Sequence, residues 1–198
     1  PAGRPLKMSP THDGMTGAGC KWGVSWDLEV PLYFAKKGFE EIPSLRRSNA
    51  FEIVQRECLM VRDGVGLLDI SGFSRFEVTG QNAEQWLNKV FASKLPKHGK
   101  SALAPMLSPT GRLKGDLSIF NWGDGTWWIM GSYYLRAWHM RWFLDQIAEG
   151  VGIRDLGEDY CGFSLAGPKS REVISQLSEG SVEQLPFMGC GNFDIGLV

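Results

Sequence analysis

Asp116 and Ser118 lie two residues apart in the stretch GRLKGDLSIFN, residues 111–121, a spacing that suits ligand chemistry. Apolar and polar residues alternate there, which predicts a β-strand from Arg112 to Asn121. Successive side chains of a strand point to opposite faces, so Asp116 and Ser118 share one face. A carboxylate beside a hydroxyl can accept a proton from a bound molecule and hydrogen-bond to it.

Aspartate is disfavoured in strands, so its presence at position 116 needs an explanation. One interpretation is the solvated face of an antiparallel sheet, with Lys114 and Asp116 as scattered surface charges. The other is a face that lines a cavity, where Asp116 and Ser118 both contact one ligand. Phe120 shares that face and favours the cavity. The pattern alone favours the solvated surface and leaves the cavity open.

Other polar residues are weaker candidates for chemistry. His139 lies among Trp and Phe residues of a predicted helix, where a lone histidine is more often a core residue than a catalytic one. Ser71 lacks the G-x-S-x-G context of a hydrolase nucleophile. The sequence shows no dinucleotide fingerprint or phosphate-binding loop. Four cysteines and three histidines are too scattered to predict a metal site.

The composition predicts one substantial hydrophobic core. Of 198 residues, 43% are hydrophobic and 12% aromatic, which suits one globular domain or most of one. The net charge of −1 and the scattered basic residues argue against nucleic acid or an anionic membrane as a partner. With no spanning apolar run or signal peptide, we expect a cytoplasmic protein, or a mitochondrial matrix protein in a eukaryote. The start at Pro1 and the alternating final residues predict that both ends were cut from a longer chain.

The first 47 residues differ from the rest of the chain. Residues 1–47 are rich in glycine, proline and aromatic residues and lack a helical period, so we expect an extended segment with short strands that packs on the domain. After it, the apolar spacing from Asn49 predicts a helix that ends at Gly64.

Two further amphipathic helices are predicted in the middle of the chain. The first follows Asn82, which forms an apparent capping box with Gln85, and its apolar stripe extends to Leu95. The second is rich in tryptophan and runs from Tyr134 to Glu149.

Segments of alternating pattern predict the strands. They are VGLLDIS, SRFEVTG, ALAPML, RLKGDLSIFN, WWIMG and VGIRDL. The turn sequences SPTG and WGDGT join ALAPML, RLKGDLSIFN and WWIMG into an antiparallel meander. FEVTGQNAEQWLNKV is echoed by FSLAGPKSREVISQL at a period near 87 residues, which indicates an internal repeat. Strands that cluster, in two similar halves, predict an α+β fold with antiparallel sheets and packed helices.

Several segments, in the same order, resemble one family. They are EVPLYFA at Glu29, RRSNAFEIVQREC at Arg46, VRDGVGLLDISGFSRFEVTG at Val61, PMLSPTGRLKGDLSIF at Pro105, HMRWF at His139 and GFSLAGPKSREVI at Gly162. The family is the folate-binding aminomethyltransferases of the glycine-cleavage T-protein type. The resemblance is strongest to the C-terminal folate domain of dimethylglycine and sarcosine dehydrogenases, and it covers the chain from about Arg4.

The resemblance implies that the chain binds tetrahydrofolate. Asp116 matches the family's Asp close to the folate nitrogen that accepts the one-carbon unit, and Ser118 matches a hydroxyl residue that contacts folate. Ile129 and Met130 match an apolar contact with the pterin. The implied reaction is attack of the folate N5 on a methylene iminium, which gives 5,10-methylenetetrahydrofolate.

The resemblance also implies a larger protein. The iminium would arise by oxidation of an N-methyl amine on a preceding FAD domain that this chain lacks. Residues 48–198 would be the N-terminal part of the folate-binding domain, truncated at its C-terminus, and we expect the fragment alone to be inactive. Ser93 departs from the family's usual Asn. The alternatives are a redox-neutral folate-dependent methyltransferase, of the sulfonium demethylase kind, and a non-catalytic folate-binding or scaffold module.

Overall fold

The computed structural model describes residues 3–178 and 181–195. The chain divides into two compact units, which we call the first and second unit. The first unit consists of Pro1–Gly72 with Cys161–Gly180, and the second of Phe73–Tyr160 with Ser181–Val198. Helices and antiparallel sheets occur in both units, which confirms the α+β class.

The strands are β1 (Cys20–Ser25), β2 (Leu28–Phe34), β3 (Gly66–Asp69), β4 (Ser74–Thr79), β5 (Lys100–Leu107), β6 (Leu113–Asn121), β7 (Trp127–Gly131), β8 (Gly152–Asp155) and β9 (Phe163–Ala166). The helices are α1 (His12–Gly17), α2 (Phe51–Asp63), α3 (Ala83–Val90), α4 (Arg136–Leu144) and α5 (Ser170–Leu177), with short 3₁₀ turns at Tyr133–Leu135 and Ser181–Gln184. Within the described residues, no helix is both long and apolar enough to span a bilayer.

The second unit is built on a five-stranded antiparallel sheet. Its strand order is β5-β6-β7-β4-β8, so the predicted meander of three strands is confirmed. One sheet face packs against α3 and α4. Phe143 of α4 lies at the centre of that core, with ring centroids 5.3 Å from Phe76 and 6.0 Å from Trp86.

The first unit holds two smaller sheets, each of two antiparallel strands, β1-β2 and β3-β9. The residues before β1 are hydrogen-bonded to both sheets. Arg4 makes a bidentate ion pair with Glu29 of β2. Ser9 and Thr11 donate hydrogen bonds of 2.6 and 2.5 Å to the Asp69 carboxylate at the end of β3. The predicted strands in this part of the chain are therefore confirmed, and α1 is an addition to them.

The predicted capping box at α3 is wrong. The Asn82 side chain accepts no capping bond from an N–H of α3, and its Nδ2 donates a 2.8 Å hydrogen bond to the carbonyl oxygen of Glu149. The helix ends at Val90, so Leu95 lies beyond it.

The helix predicted to run to Glu149 is also shorter than expected, since α4 ends at Leu144. After Leu144 the chain forms a tighter turn, in which the N–H of Gln146 donates a 3.1 Å hydrogen bond to the carbonyl of Phe143, three residues earlier. The Gln146 carbonyl in turn accepts a 2.7 Å hydrogen bond from the indole of Trp86. A tertiary contact therefore holds the residues that the apolar pattern assigned to another helical turn.

The internal repeat is confirmed in the backbone. β4 leads through Gly80 into α3, and β9 leads through Gly167 into α5. The two glycines have φ angles of 112° and 113°. In both copies the glycine carbonyl accepts a 3.1 Å hydrogen bond from the N–H three residues on. The two strand–glycine–helix segments therefore share one local conformation.

Candidate functional site

The site predicted from the sequence lies on β6, between its neighbours β5 and β7. Asp116 pairs with Pro105 of β5, and Ser118 pairs with Leu103 of β5 and with Met130 of β7. Since paired residues project to the same side of a sheet, Asp116, Ser118 and Met130 share one face. The intervening residues Gly115, Leu117 and Ile119 are buried on the other side. The strand and the shared face of Asp116 and Ser118 are confirmed.

Ile129 is not brought into this group. It pairs with Ile119, and its side chain is 0% exposed within the core of the second unit. Ile129 and Met130 are consecutive residues of β7, so their side chains point to opposite faces. The structure thus assembles three of the four predicted site residues, Asp116, Ser118 and Met130.

The Asp116 side chain is exposed, whereas Ser118 and Met130 are half-buried. Among the described residues, no hydrogen bond or ion pair engages the Asp116 carboxylate. Lys114 lies two residues earlier, but its ammonium lies over the rings of Trp138 and Trp142, 5.2 Å from each centroid. The site therefore presents a carboxylate whose acceptor sites face outward.

His139 lies directly beneath the site, on the core side of β6. A Cβ at Gly115 would lie 2.8 Å from its Nε2, so glycine is required where α4 meets the strand. His139 is 1% exposed, which confirms the expectation of a core residue. Burial lowers the pKa of His139, against a smaller opposing effect of the Lys114 backbone. A neutral imidazole thus supports the backbone immediately before Asp116.

Aromatic residues extend the site along the sheet. Trp128 pairs with Phe120, on the face that carries Asp116 and Ser118. The Trp128 ring lies 4.8 Å from that of Tyr160 in an edge-on contact. Trp128 is not among the residues that the sequence predicts for the site, although it lies two residues before Met130 and the alternation of β7 places both on one face. A flat heteroaromatic ligand could lie over such rings.

Two grooves of the structure have other lining residues. One, of about 550 Å³, lies in the first unit between the segments Pro31–Phe34 and Val65–Leu68. Another, of about 380 Å³, lies in the second unit near His98 and Gly123. Neither is lined by Asp116. The described residues also contain no group of three or more metal-ligating side chains.

Comparisons with known proteins identify the family. The model of the GCVT N-terminal domain family matches residues 11–198. The mouse mitochondrial dimethylglycine dehydrogenase is 28% identical over 98% of this chain and 23% of its own length. The mouse mitochondrial pyruvate dehydrogenase phosphatase regulatory subunit is 24% identical over 98% of this chain and 24% of its own length. The chain therefore spans about a quarter of the length of these curated relatives.

A solved structure shows the same fold. The crystal structure of the glycine cleavage system aminomethyltransferase T from Bartonella henselae superimposes with a TM-score of 0.79, covering 94% of this chain and 47% of that one. Its sequence identity of 19% supports the likeness of fold alone. Because the family model covers nearly the whole chain, this protein belongs to the GCVT N-terminal domain family.

Proposed function

We propose that this chain is a tetrahydrofolate-dependent one-carbon transfer domain, with Asp116 as its catalytic residue. The aminomethyltransferase-type family to which the chain belongs is folate-dependent. The observation that carries the proposal is the placement of Asp116, Ser118 and Met130 on one face of neighbouring strands. That set offers a proton acceptor, a hydroxyl and an apolar contact, which suits a flat ring bearing N–H groups.

Asp116 would act on the amine nitrogen of the ligand. A carboxylate can accept a proton from that nitrogen and favour positive charge that develops beside it. Ser118 would orient the ligand by a hydrogen bond, and Met130 would pack against its ring. N5 of bound tetrahydrofolate would bond to the methylene carbon of the iminium, and N10 would then bond to the same carbon as the bond from that carbon to the amine breaks. Of the two folate N–H protons, one would leave on the released amine and the other would pass to Asp116, so the products would be 5,10-methylenetetrahydrofolate and the demethylated amine.

The source of the one-carbon unit is the second part of the proposal. The likeness to dimethylglycine dehydrogenase supports a methylene iminium made by oxidation of an N-methyl amine on a flavin-bearing domain of the same type of enzyme. This chain would then receive the iminium and carry out the transfer to folate.

The test is an Asp116→Asn variant, measured for one-carbon transfer to tetrahydrofolate in the protein that carries this chain. We expect the rate to fall by about 10²- to 10⁴-fold, the usual worth of a general base. Asp145→Asn is the matched control, because Asp145 is an exposed aspartate of the same unit, at the end of α4. A wild-type rate in Asp116→Asn would disprove the role of Asp116.

A second candidate is a non-catalytic folate-binding or scaffold module. The likeness to a protein named as a regulatory subunit favours it. Calorimetric titration with tetrahydrofolate separates a scaffold from a transfer domain, and the transfer assay described above separates a folate-binding module without activity from both. A scaffold would give no heat at concentrations around the micromolar range, whereas a transfer domain would bind there.

A further inference from the structure

Strand β6 contains a β-bulge immediately before Asp116. The register with β5 shifts between Met106, which pairs with Gly115, and the next residue of β5, which pairs with Leu113. Lys114 is therefore the extra residue of the bulge. Bulges are common next to active sites, where they change the direction of a side chain. The contacts that hold this bulge therefore bear on the direction of Asp116.

Backbone hydrogen bonds hold Asp116 less firmly than the rest of β6. Its partner on β5, Pro105, has no N–H to donate, and the Pro105 carbonyl accepts a 2.9 Å hydrogen bond from the N–H of Ala92. On the other side, the pairing with β7 runs from Asn121 only as far as Ser118. Within the described residues, Asp116 thus lies between a bulge and the end of a ladder, and side-chain packing must supply the remaining support.

His139 of α4 packs against this backbone from the core side. A Cβ at Gly115 would lie 2.8 Å from Nε2 of His139 and equally close to Cε of Met106. Burial lowers the pKa of His139, and the Lys114 backbone is near enough to oppose that shift. The imidazole therefore lies against both residues that precede Asp116.

An imidazole is a costly side chain for that position. His139 is 1% exposed, and neither ring nitrogen has a hydrogen-bond partner among the described residues. An apolar side chain would avoid the cost of burying unpaired polar atoms, as Phe143 does one turn further along α4. A buried polar group without a partner calls for an explanation, and the backbone before Asp116 offers one.

We propose that His139 is a positioning residue that holds the bulged backbone at Lys114 and Gly115, and so fixes the direction of the Asp116 carboxylate. The functional part of this inference rests on the proposed role of Asp116. The imidazole lies on the face of β6 opposite to the ligand, so it acts through the backbone and does not touch folate. Loss of the imidazole should therefore slow the transfer step more than it weakens binding of the ligand.

The kinetics of His139→Ala test the inference in the protein that carries this chain. We expect kcat for one-carbon transfer to fall about 10- to 100-fold, because a small displacement of a catalytic group has that effect. The affinity for tetrahydrofolate should change by less than about threefold, because the ligand face is untouched. Phe143→Leu is the matched control, since Phe143 is equally buried on α4 and packs on Phe76 and Trp86. Its kcat should stay within about twofold of the wild type.

Gly115→Ala completes a double-mutant cycle with His139→Ala. Gly115 is not one of the glycines with a positive φ, so its methyl group tests the contact with His139 and not the backbone conformation. Alone, Gly115→Ala should lower kcat about 10- to 100-fold. In the His139→Ala background the methyl group has room, so the double variant should lose no more than His139→Ala does. Losses that multiply would mean that the two positions act independently, against the proposed contact.

Nuclear magnetic resonance tests the geometry without any ligand. His139→Ala should move the carboxyl ¹³C resonance of Asp116, whereas Phe143→Leu should leave it in place. If circular dichroism shows that His139→Ala does not fold, His139→Gln takes its place and should move the same resonance by a smaller amount. An Asp116 resonance that stays at its wild-type position in the folded His139 variant would overturn the inference.

The inference and the proposed function fail separately. If the wild-type protein transfers no one-carbon unit to tetrahydrofolate, the proposed function is wrong, and the Asp116 resonance still decides whether His139 sets its direction. If the wild-type protein is active and His139→Ala keeps its kcat, the inference is wrong and the proposed function stands.

Discussion

The two strand–glycine–helix segments, β4–Gly80–α3 and β9–Gly167–α5, share one backbone conformation but differ in what packs around them. In the second unit, β4 pairs on one side with β7 and on the other with β8. In the first unit, β9 has β3 as its partner in a two-stranded sheet. Phe76 of β4 is 0% exposed, whereas Phe163, its equivalent in β9, is 45% exposed.

The helices show the same contrast. In α3 four residues are buried, among them Trp86 and Leu87, whereas α5 has no buried residue within the part of the chain that the structure describes. Local sequence therefore sets the turn and the start of the helix in both copies. Burial, which supplies most of the stability, depends on how many other elements pack against each copy.

The largest contrast is expected from truncation of the equivalent phenylalanines. Phe76→Ala should lower the free energy of unfolding by about 3–5 kcal/mol, because it leaves a cavity in a packed core. Phe163→Ala should lower it by about 1 kcal/mol or less, because that ring is half exposed. Urea unfolding followed by circular dichroism measures both.

Tryptophan fluorescence adds a site-specific probe. Six of the eight tryptophans lie in the second unit, so the fluorescence transition reports mainly on the unit that contains Phe76. Equal losses of unfolding free energy for Phe76→Ala and Phe163→Ala would mean that the β9 copy is as tightly packed as the β4 copy, which would contradict the difference in burial.

A smaller effect, similar in both copies, is expected from Gly80→Ala and Gly167→Ala. A Cβ at Gly80 would overlap the carbonyl oxygen of Gly150, and one at Gly167 would overlap that of Gly64. Both glycines also have positive φ angles, which disfavour L-residues. Each substitution should lower the free energy of unfolding by about 2–3 kcal/mol in denaturant titrations.

Gly125→Ala separates the two causes. Gly125 has a φ of 86° with open space around it, so its substitution tests the backbone strain alone. We expect a loss of about 1 kcal/mol there. If Gly80→Ala cost no more than Gly125→Ala, the close approach to Gly150 would have no energetic weight.

The smallest effect is a difference in the response of the two units to acid. In the first unit, burial raises the pKa of Asp69, but hydrogen bonds from Ser71, Ser9 and Thr11 outweigh it and lower the pKa. The resulting stabilisation is present above the carboxyl's unfolded pKa, near 4, and is lost as the pH falls below it.

In the second unit, burial lowers the pKa of His139, so the unfolded state binds its proton first. Stability should therefore fall as the pH drops below about 6.5, well before Asp69 responds. Urea midpoints measured from pH 7 to pH 3 test this order. His139→Gln should flatten the slope just below pH 6.5, and Asp69→Asn the slope below pH 4. A slope near pH 6 that survives His139→Gln would assign the effect to another group.

Local periodicity explains what the sequence could predict. The face shared by Asp116 and Ser118 follows from alternation along one strand, which needs no knowledge of the rest of the fold. The same rule separates Ile129 from Met130, because consecutive strand residues cannot share a face. The resemblance to the family implied that both residues contact the ligand. The pairing of Ile119 with Ile129 shows that Ile129 points into the core and Met130 to the opposite face of the sheet.

Contacts between distant segments explain what the sequence could not predict. The end of α4 depends on the hydrogen bond from Trp86, which lies sixty residues earlier. The Asn82 side chain likewise contacts Glu149, which lies 67 residues later, and does not cap α3. The contact of Lys114 with Trp138 and Trp142 depends on the packing of α4 beside β6, because neither tryptophan is near Lys114 in the sequence. Each of these features is a property of the packed unit.

The pairing of Asp69 with Phe163 has a consequence for the order of folding. Residues 73–160, which form most of the second unit, leave and return to the first unit at neighbouring points of the β3-β9 ladder. Because synthesis starts at the N-terminus, this inserted stretch is made before β9. The first unit must therefore close a loop of about ninety residues, at an entropic cost that a compact, already folded insert reduces.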